Sequence, residues 1–148
     1  MSEKSYLDDY TNFHYRWLST AGENGYVIDD KDKMALGVKL RRSTDGQSFY
    51  LDLRKKFPDF FEQEDITITF RMSVPDGVKI QKFTFRTVGD NQSVDIPFPP
   101  SDGKWHQVEA RLQINKSDLK ELWIQMNTLP ILPEQALVGF NDIHIFQR

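Results

Sequence analysis

The sequence predicts an all-β chain, an antiparallel β-sandwich with little helix, and three observations predict it. Apolar and polar residues alternate with a period of two in several runs, as in strands buried on one face. Turn residues, such as those at 43–46 and 75–77, separate these runs at short spacing. The chain has 148 residues, 13% of them aromatic, which suits one folded domain, and we expect a single unit over residues 1–148.

Four runs alternate regularly, and their apolar residues are expected to face the core. These residues are Leu36, Val38 and Leu40; Phe49, Leu51 and Leu53; Ile66, Ile68, Phe70 and Met72; and Val108, Ala110, Leu112 and Ile114. Each run is long enough for one strand, and the polar residues between the apolar ones are expected to face solvent.

Four further runs are strands of less regular pattern, at 78–88, 94–98, 122–126 and 137–146. The first loses its alternation near Phe83, and the last changes parity at Asn141 and Asp142, so a bulge is expected at each place. Single helical turns are expected only at 58–64 and 115–118. Eight or nine short strands favour a jelly roll over an immunoglobulin-like sandwich.

Composition and motifs exclude several classes of function. The chain has 19 basic and 22 acidic residues, and its net charge of −3 argues against a nucleic-acid partner. It has no cysteine, which excludes disulfides, zinc–thiolate sites and cysteine nucleophiles. No apolar run approaches the roughly 20 residues that span a bilayer, and residues 1–13 do not resemble a signal peptide.

Catalysis has little support in the sequence. The three histidines have no metal-ligand spacing, and the chain contains neither a Gly-x-Ser-x-Gly elbow nor a phosphate-binding glycine loop. We therefore expect a protein that is not an enzyme.

Trp123 is the most informative candidate for a binding residue. Its neighbours Leu122, Ile124 and Met126 alternate toward the core, so Trp123 is expected on the opposite, polar face. An exposed aromatic plane beside amides and charges is what a sugar needs for stacking and for hydrogen bonds to its hydroxyls. The alternative is that a loop covers Trp123 or that it packs in a second layer.

Further side chains are candidates for the same binding face. Gln125 and Asn127 follow Trp123 on its strand, and Tyr50 lies on the polar face of an earlier strand. The strand that precedes that of Trp123 in the sequence has three polar side chains on its own polar face. They are Glu109, Arg111 and Gln113. If the two strands are neighbours, these residues lie beside Trp123 at cross-strand distance.

The C-terminal half carries a family resemblance. Residues 102–106 read Asp-Gly-Lys-Trp-His before one strand, residues 122–126 form the next, and residues 138–145 close the chain. This order resembles the galactose-binding-like jelly rolls of non-catalytic carbohydrate-binding modules, which also occur in phage tail and baseplate proteins. The resemblance implies a jelly roll, packing of Trp105 against the core, and a structural calcium ion bound by Asp142 with Asp8 and Asp9. The alternative at Asp142 is a bulge that binds its own backbone.

The predicted function is non-catalytic recognition of an oligo- or polysaccharide, or of a glycan receptor, on a strand face, within a larger parent chain or assembly. The alternatives are a structural module that contacts a protein partner, and a lectin-like domain that forms homo-oligomers. No cofactor is expected other than the calcium ion. An extracellular or virion-associated protein is favoured over a cytoplasmic one.

Overall fold

The computed structural model describes residues 5–8, 17–19, 22–42, 48–56, 65–114, 120–129 and 136–147. These residues form strands and connecting turns, and none of them is helical. The strands are β1 (Ser5–Asp8), β2 (Leu18–Ser19), β3 (Gly22–Ile28), β4 (Met34–Arg42), β5 (Phe49–Lys56), β6 (Asp65–Ser73), β7 (Ile80–Val88), β8 (Ser93–Asp95), β9 (Trp105–Gln113), β10 (Glu121–Thr128) and β11 (Leu137–Gln147). The described residues include no helix that is long and apolar enough to cross a membrane.

The strands form two antiparallel sheets that β4 joins. Sheet A has the order β3–β4–β11–β6–β9, and β1 pairs with the C-terminal half of β11. Sheet B has the order β8–β7–β10–β5, and β2 also pairs with β5. Arg41 and Arg42, at the end of β4, leave sheet A and pair with Tyr50 and Phe49 of β5. Apart from the consecutive pairs β3–β4 and β7–β8, neighbouring strands within the two sheets are distant in sequence, as in a jelly roll.

The core lies between the two sheets, because the apolar faces of both sheets point at each other. Phe70 of sheet A meets Phe83 of sheet B edge to face, with ring centres 6.2 Å apart, and its ring centre lies 5.9 Å from that of Phe140. The apolar residues of the four regular runs are buried, apart from the partly buried Phe49. The predicted all-β sandwich is therefore confirmed.

Of the two predicted bulges, the one in β11 lies at the position that the sequence predicts. The pairing of β11 with β6 shifts between Asn141 and His144, and Asp142 takes a left-handed backbone with φ of 51°. In β7 the register against β10 skips Gln81, two residues before Phe83. The predicted helical turns at 58–64 and 115–118 lie outside the described residues.

The strand β3 corrects the sequence analysis, which gave residues 22–28 no strand. Its sequence, Gly-Glu-Asn-Gly-Tyr-Val-Ile, has no apolar alternation, yet it pairs with β4 over its full length. β3 is an edge strand whose side chains are mostly exposed, so selection for a buried face did not shape its pattern.

Trp105 packs on the outer surface of sheet A rather than in the core. A row of cross-strand partners runs Gly37, Gly139, Ser73 and Trp105, and the glycines leave a shallow trough in the sheet. The indole fills this trough, since a Cβ on Gly139 would lie 2.6 Å from the Trp105 ring. The expectation that Trp105 packs against the core is thus wrong. In β9 the even-numbered positions from Val108 onward are buried, and Trp105 has the opposite parity, so its side chain points outward.

Candidate functional site

The polar face of sheet B brings together the side chains that alternate away from the core on three adjacent strands. β10 lies in the middle, between β5 and β7. The register forms three rows across the strands β5, β10 and β7: Arg54–Trp123–Arg86, Asp52–Gln125–Thr84 and Tyr50–Asn127–Lys82. Arg41 of β4 extends the last row beside Tyr50.

Trp123 lies half-buried at the centre of the first row. Strict alternation in β10 buries Leu122, Ile124 and Met126 and turns Trp123 to the polar face, as the sequence predicts. Its indole N–H donates a 2.6 Å hydrogen bond to Glu121. The guanidinium carbon of Arg54 lies 3.5 Å from the ring centre, and that of Arg86 lies 4.5 Å from it. The ring is therefore held in place by cation–π contacts from both neighbouring strands.

The second row contains a buried carboxylate and two unsatisfied polar atoms. Asp52 is only 4% exposed and accepts hydrogen bonds from Arg54 through Oδ2. Its Oδ1 and the hydroxyl of Thr84 are buried and have no hydrogen-bond partner among the described residues. Gln125, between them, accepts a 3.4 Å hydrogen bond from Arg86. Buried polar groups without partners are uncommon in folded proteins, and in this row they lie beneath the partly exposed side chain of Gln125.

An open cavity of about 280 Å³ lies at the β7 side of this face. Its described lining residues are all polar and none of them is acidic; they include Lys82, Thr84, Arg86, Asn91, Gln125 and Asn127. Such a lining offers hydrogen-bond donors and amides but little apolar area, as sites for hydroxylated ligands require.

The structure divides the predicted binding residues between the two sheets. Tyr50, Trp123, Gln125 and Asn127 lie together on the polar face of sheet B.

The expectation that the strand of Glu109, Arg111 and Gln113 neighbours that of Trp123 is wrong. β9 pairs with β6 in sheet A, and β10 pairs with β5 and β7 in sheet B. These three side chains are exposed on the outer surface of sheet A, where Arg111 and Gln113 line a separate cavity of about 250 Å³. Consecutive strands of a jelly roll commonly belong to opposite sheets, which is why order along the chain misplaced them.

Arg54, Arg86 and Lys82 are the residues of this face that sequence reasoning missed. Alternation in residues 49–54 already placed Arg54 on the same side as Tyr50. The pairing of β10 with β7 carried no signal in the sequence, so Arg86 and Lys82 could not be assigned to the neighbourhood of Trp123.

Asp142, predicted as a calcium ligand, belongs to an ion-pair cluster on the outer surface of sheet A. Arg71 donates to Asp29 at 2.5 Å, to Asp30 at 2.6 Å and to Asp142 at 2.8 Å. Asn141 donates a further hydrogen bond of 2.8 Å to Asp29. One guanidinium thus binds carboxylates from the β3–β4 turn and from the β11 bulge.

Of the three predicted calcium ligands, the structure describes only the side chain of Asp142. The described residues include no group of three or more histidine, aspartate or glutamate side chains arranged to hold a metal. Asp9 lies outside the described residues, and of Asp8 only the backbone is described, paired with Ile143. The calcium ligands Asp142, Asp8 and Asp9 remain a prediction.

Hydrogen bonding shifts the pKa of two groups in the cluster. Burial acts to raise the pKa of Asp29, but hydrogen bonds from the Lys33 backbone, Asn141, the Lys31 backbone and Arg71 outweigh it and lower that pKa to about 2. Burial likewise acts to lower the pKa of Arg71, but its three carboxylate partners raise the value above its ordinary range. Asp29 and Arg71 are therefore both charged near neutral pH.

Comparison with solved structures finds this architecture among carbohydrate-binding modules. The CBM22-2 xylan-binding domain of Paenibacillus barcinonensis Xyn10C matches with a TM-score of 0.68 and 12% identity, over 97% of this chain and 99% of that one. The family 11 module of Clostridium thermocellum, in complex with a mixed-linked tetrasaccharide, matches with a TM-score of 0.62 and 13% identity, over 98% and 96%. The chain has the fold of these modules.

A third solved structure extends the likeness to another family. The module TmCBM27, described by its specific mannan recognition, matches with a TM-score of 0.56 and 11% identity, over 98% of this chain and 99% of that one. No protein-family model matches the chain, and no curated protein matches it by sequence at a significant level. The expected jelly roll is confirmed, while at such low identity the likeness carries no binding residue from one protein to another.

Proposed function

We propose that this chain is a non-catalytic carbohydrate-binding module that binds a glycan on the polar face of sheet B. The observation that carries the proposal is the row Arg54–Trp123–Arg86 with Gln125 and Asn127 beside it. It supplies an aromatic ring, planar guanidinium groups and amides on rigid strands, within a fold that xylan- and mannan-binding modules share.

The physical basis is the match between these groups and a sugar. Amide and guanidinium groups pair with vicinal hydroxyls, and the exposed part of Trp123 offers an apolar surface to sugar C–H groups. The face is preformed because cross-strand pairing fixes the rows and the cation–π contacts fix the ring. Little conformational entropy is then lost on binding.

Affinity electrophoresis in gels that contain soluble polysaccharides tests the proposal. We expect retarded migration in at least one polysaccharide gel and its loss in Trp123→Ala, while circular dichroism shows that the variant folds. Phe98→Ala is the matched control, since Phe98 is an aromatic side chain, 53% exposed, away from this face. Normal binding by Trp123→Ala would contradict the proposed site, and no binding to any glycan would contradict the function.

The same proposal favours an extracellular location, where polysaccharides are met, as part of a larger protein. A module attached to a virion is a special case of this proposal, because it would bind a glycan receptor through the same face. The structural calcium ion is tested separately: a melting temperature that falls with EDTA and recovers with calcium supports it, and an Asp142→Asn variant would lose that response.

A second candidate function is contact with a protein partner or another copy of the chain through sheet A. Tyr26 and Ile28 of the edge strand β3 and Met34 of β4 are 66%, 55% and 46% exposed. Exposed apolar side chains on an unpaired edge are typical of strand-mediated association. Size-exclusion chromatography separates the two candidates: a dimer that Tyr26→Lys dissociates would favour association.

A further inference from the structure

The cavity beside Trp123 has a charge opposite to that of the chain as a whole. The chain has a net charge of −3, yet the cavity lining includes Lys82 and Arg86 and no acidic residue. A local excess of positive charge on an acidic protein concentrates anions at that place.

The two cations are not neutralised by carboxylates of the described residues. Arg86 contacts the Trp123 ring and donates to the neutral Gln125 at 3.4 Å. Within the described part of the chain, no carboxylate pairs with Lys82. The contrast with Arg54 is informative, since its guanidinium is already bound to Asp52.

The nearby carboxylates of the described residues form no ion pair with either cation. Glu121 accepts the indole N–H of Trp123, and Asp95 is exposed on the edge strand β8, where it pairs across from Thr84. The face therefore retains two cations whose charge is available to a ligand.

The buried hydroxyl of Thr84 is a second, independent sign of a ligand. Thr84 is 8% exposed and lines the same cavity between the two cations, and its hydroxyl has no hydrogen-bond partner in the described part of the chain. A buried hydroxyl without a partner destabilises a protein unless water or a ligand satisfies it. The hydroxyl oxygen is covered in this structure, so a ligand oxygen accepts from it only after the neighbouring side chains move.

We propose that this cavity binds the anionic groups of an acidic polysaccharide, through Lys82 and Arg86, with Thr84 and the amides beside them. The inference rests on the proposed function and specifies its ligand class. A guanidinium binds a carboxylate or a sulfate in a two-pronged geometry, and the ammonium of Lys82 adds a point charge. Both uronate and sulfate-ester sugars carry this chemistry.

The spacing of the cations favours a polymer over a single acidic sugar. Lys82 and Arg86 are four residues apart on the same face of β7, so their Cα atoms are about 13 Å apart at the usual strand rise. The guanidinium of Arg86 is held at Trp123 and Gln125 on the neighbouring strand, so Lys82 offers a separate position for a second anionic group. Two anionic groups on one chain bind both cations at once, and the second contact is then intramolecular.

Isothermal titration calorimetry with matched ligands tests the inference. Polygalacturonate is compared with its fully methyl-esterified form, which keeps the sugar backbone and removes the charge, with heparin as the sulfated arm and xylan and mannan as neutral polymers. We expect the acidic polymers to bind at least about tenfold more tightly than the neutral ones, and salt to weaken that binding. The preferred acidic polymer identifies carboxylate or sulfate.

Variants assign the binding to the cavity. Lys82→Gln with Arg86→Gln should reduce affinity for the acidic polymer at least about tenfold, while Arg86→Lys, which keeps the charge, retains more of it. Lys39→Gln is the control, because Lys39 is exposed in sheet A. It should bind like the wild type.

Each other outcome overturns a stated part of the inference. Binding of neutral polymers with no preference for the acidic ones, unaffected by the double variant, refutes the acidic ligand and leaves the proposed function standing. Equal loss in Lys39→Gln and in the double variant refutes the cavity as the site. Binding to no glycan at all refutes the proposed function together with the inference.

Discussion

The guanidinium of Arg54 lies between two different partners, the carboxylate of Asp52 and the ring of Trp123. It donates hydrogen bonds to Asp52 on its own strand, and its carbon lies 3.5 Å from the ring centre of Trp123 on the next. Asp52 is 4% exposed, so its charge is tolerated only because Arg54 is beside it. One side chain thus binds a buried carboxylate and contacts the aromatic centre of the proposed site.

Arg54→Ala is expected to destabilise the protein by about 2 kcal/mol, because it leaves a buried carboxylate without its cation. Urea denaturation followed by circular dichroism measures the loss. Arg86→Ala is the control, since Arg86 contacts the same ring but no carboxylate in the described structure. The explanation fails if both variants lose the same stability, or if Asp52→Ala does not offset the loss in the double variant.

Arg71→Met is expected to destabilise the protein by about 3 kcal/mol. The change leaves the carboxylates of Asp29, Asp30 and Asp142 facing one another without the guanidinium that binds all three. The comparison variant is Arg111→Met, which alters an exposed arginine on the same surface of sheet A and should change stability by less than about 0.5 kcal/mol. A similar midpoint for both variants would show that the cluster contributes little.

The stability of the protein is expected to fall between about pH 4 and pH 2 through Asp29. Its folded-state pKa is about 2, below the ordinary value of 3.8, so its contribution is present above pH 4 and is lost as the pH falls toward 2. The shift corresponds to roughly 2 kcal/mol. Free energies of unfolding at pH 7, 4, 3 and 2 measure the effect.

Asp29→Asn tests the origin of that pH dependence. The difference in stability between the wild type and this variant should shrink as the pH falls from 4 to 2, because the wild-type carboxylate also becomes neutral. Asp76→Asn, in the exposed turn before β7, should follow the wild-type profile. A constant difference across this range would assign the acid sensitivity to other carboxylates.

The sequence predicted the fold well because the core imposes a strict pattern on most strands. In β6 and β10 each core-facing position must be apolar, so the period of two is visible and Trp123 could be placed on the correct face. β3 was missed because an edge strand with an exposed face carries no such constraint.

The composition of the candidate site was predicted only in part, because the alternation of apolar and polar residues does not show which strands pair. Trp123, Gln125 and Tyr50 were found because alternation alone decides their face. Arg86 lies next to Trp123 through a pairing between strands 37 residues apart, whereas Arg111, nearer in sequence, belongs to the other sheet. Alternation fixes which side of a strand a residue occupies, and the topology decides its neighbours.

Gly139→Ala is expected to destabilise the protein by about 1–3 kcal/mol, because the trough under Trp105 has no room for a methyl group. The new Cβ would lie 2.6 and 2.8 Å from two atoms of the Trp105 ring and 3.3 Å from Val27, so the indole has to move away from the sheet. Arg71, whose guanidinium carbon lies 5.6 Å from that ring centre, would then lose a neighbour.

A double-mutant cycle with Trp105→Ala isolates the contact between residue 139 and the indole. In the Trp105→Ala background, Gly139→Ala should destabilise the protein by less than about 0.5 kcal/mol, since the ring is gone. Gly25→Ala is the matched control, because the nearest atom to its added Cβ is 4.0 Å away. An additive cycle, with Gly139→Ala equally destabilising in both backgrounds, would show that backbone conformation rather than the Trp105 ring requires glycine at this position.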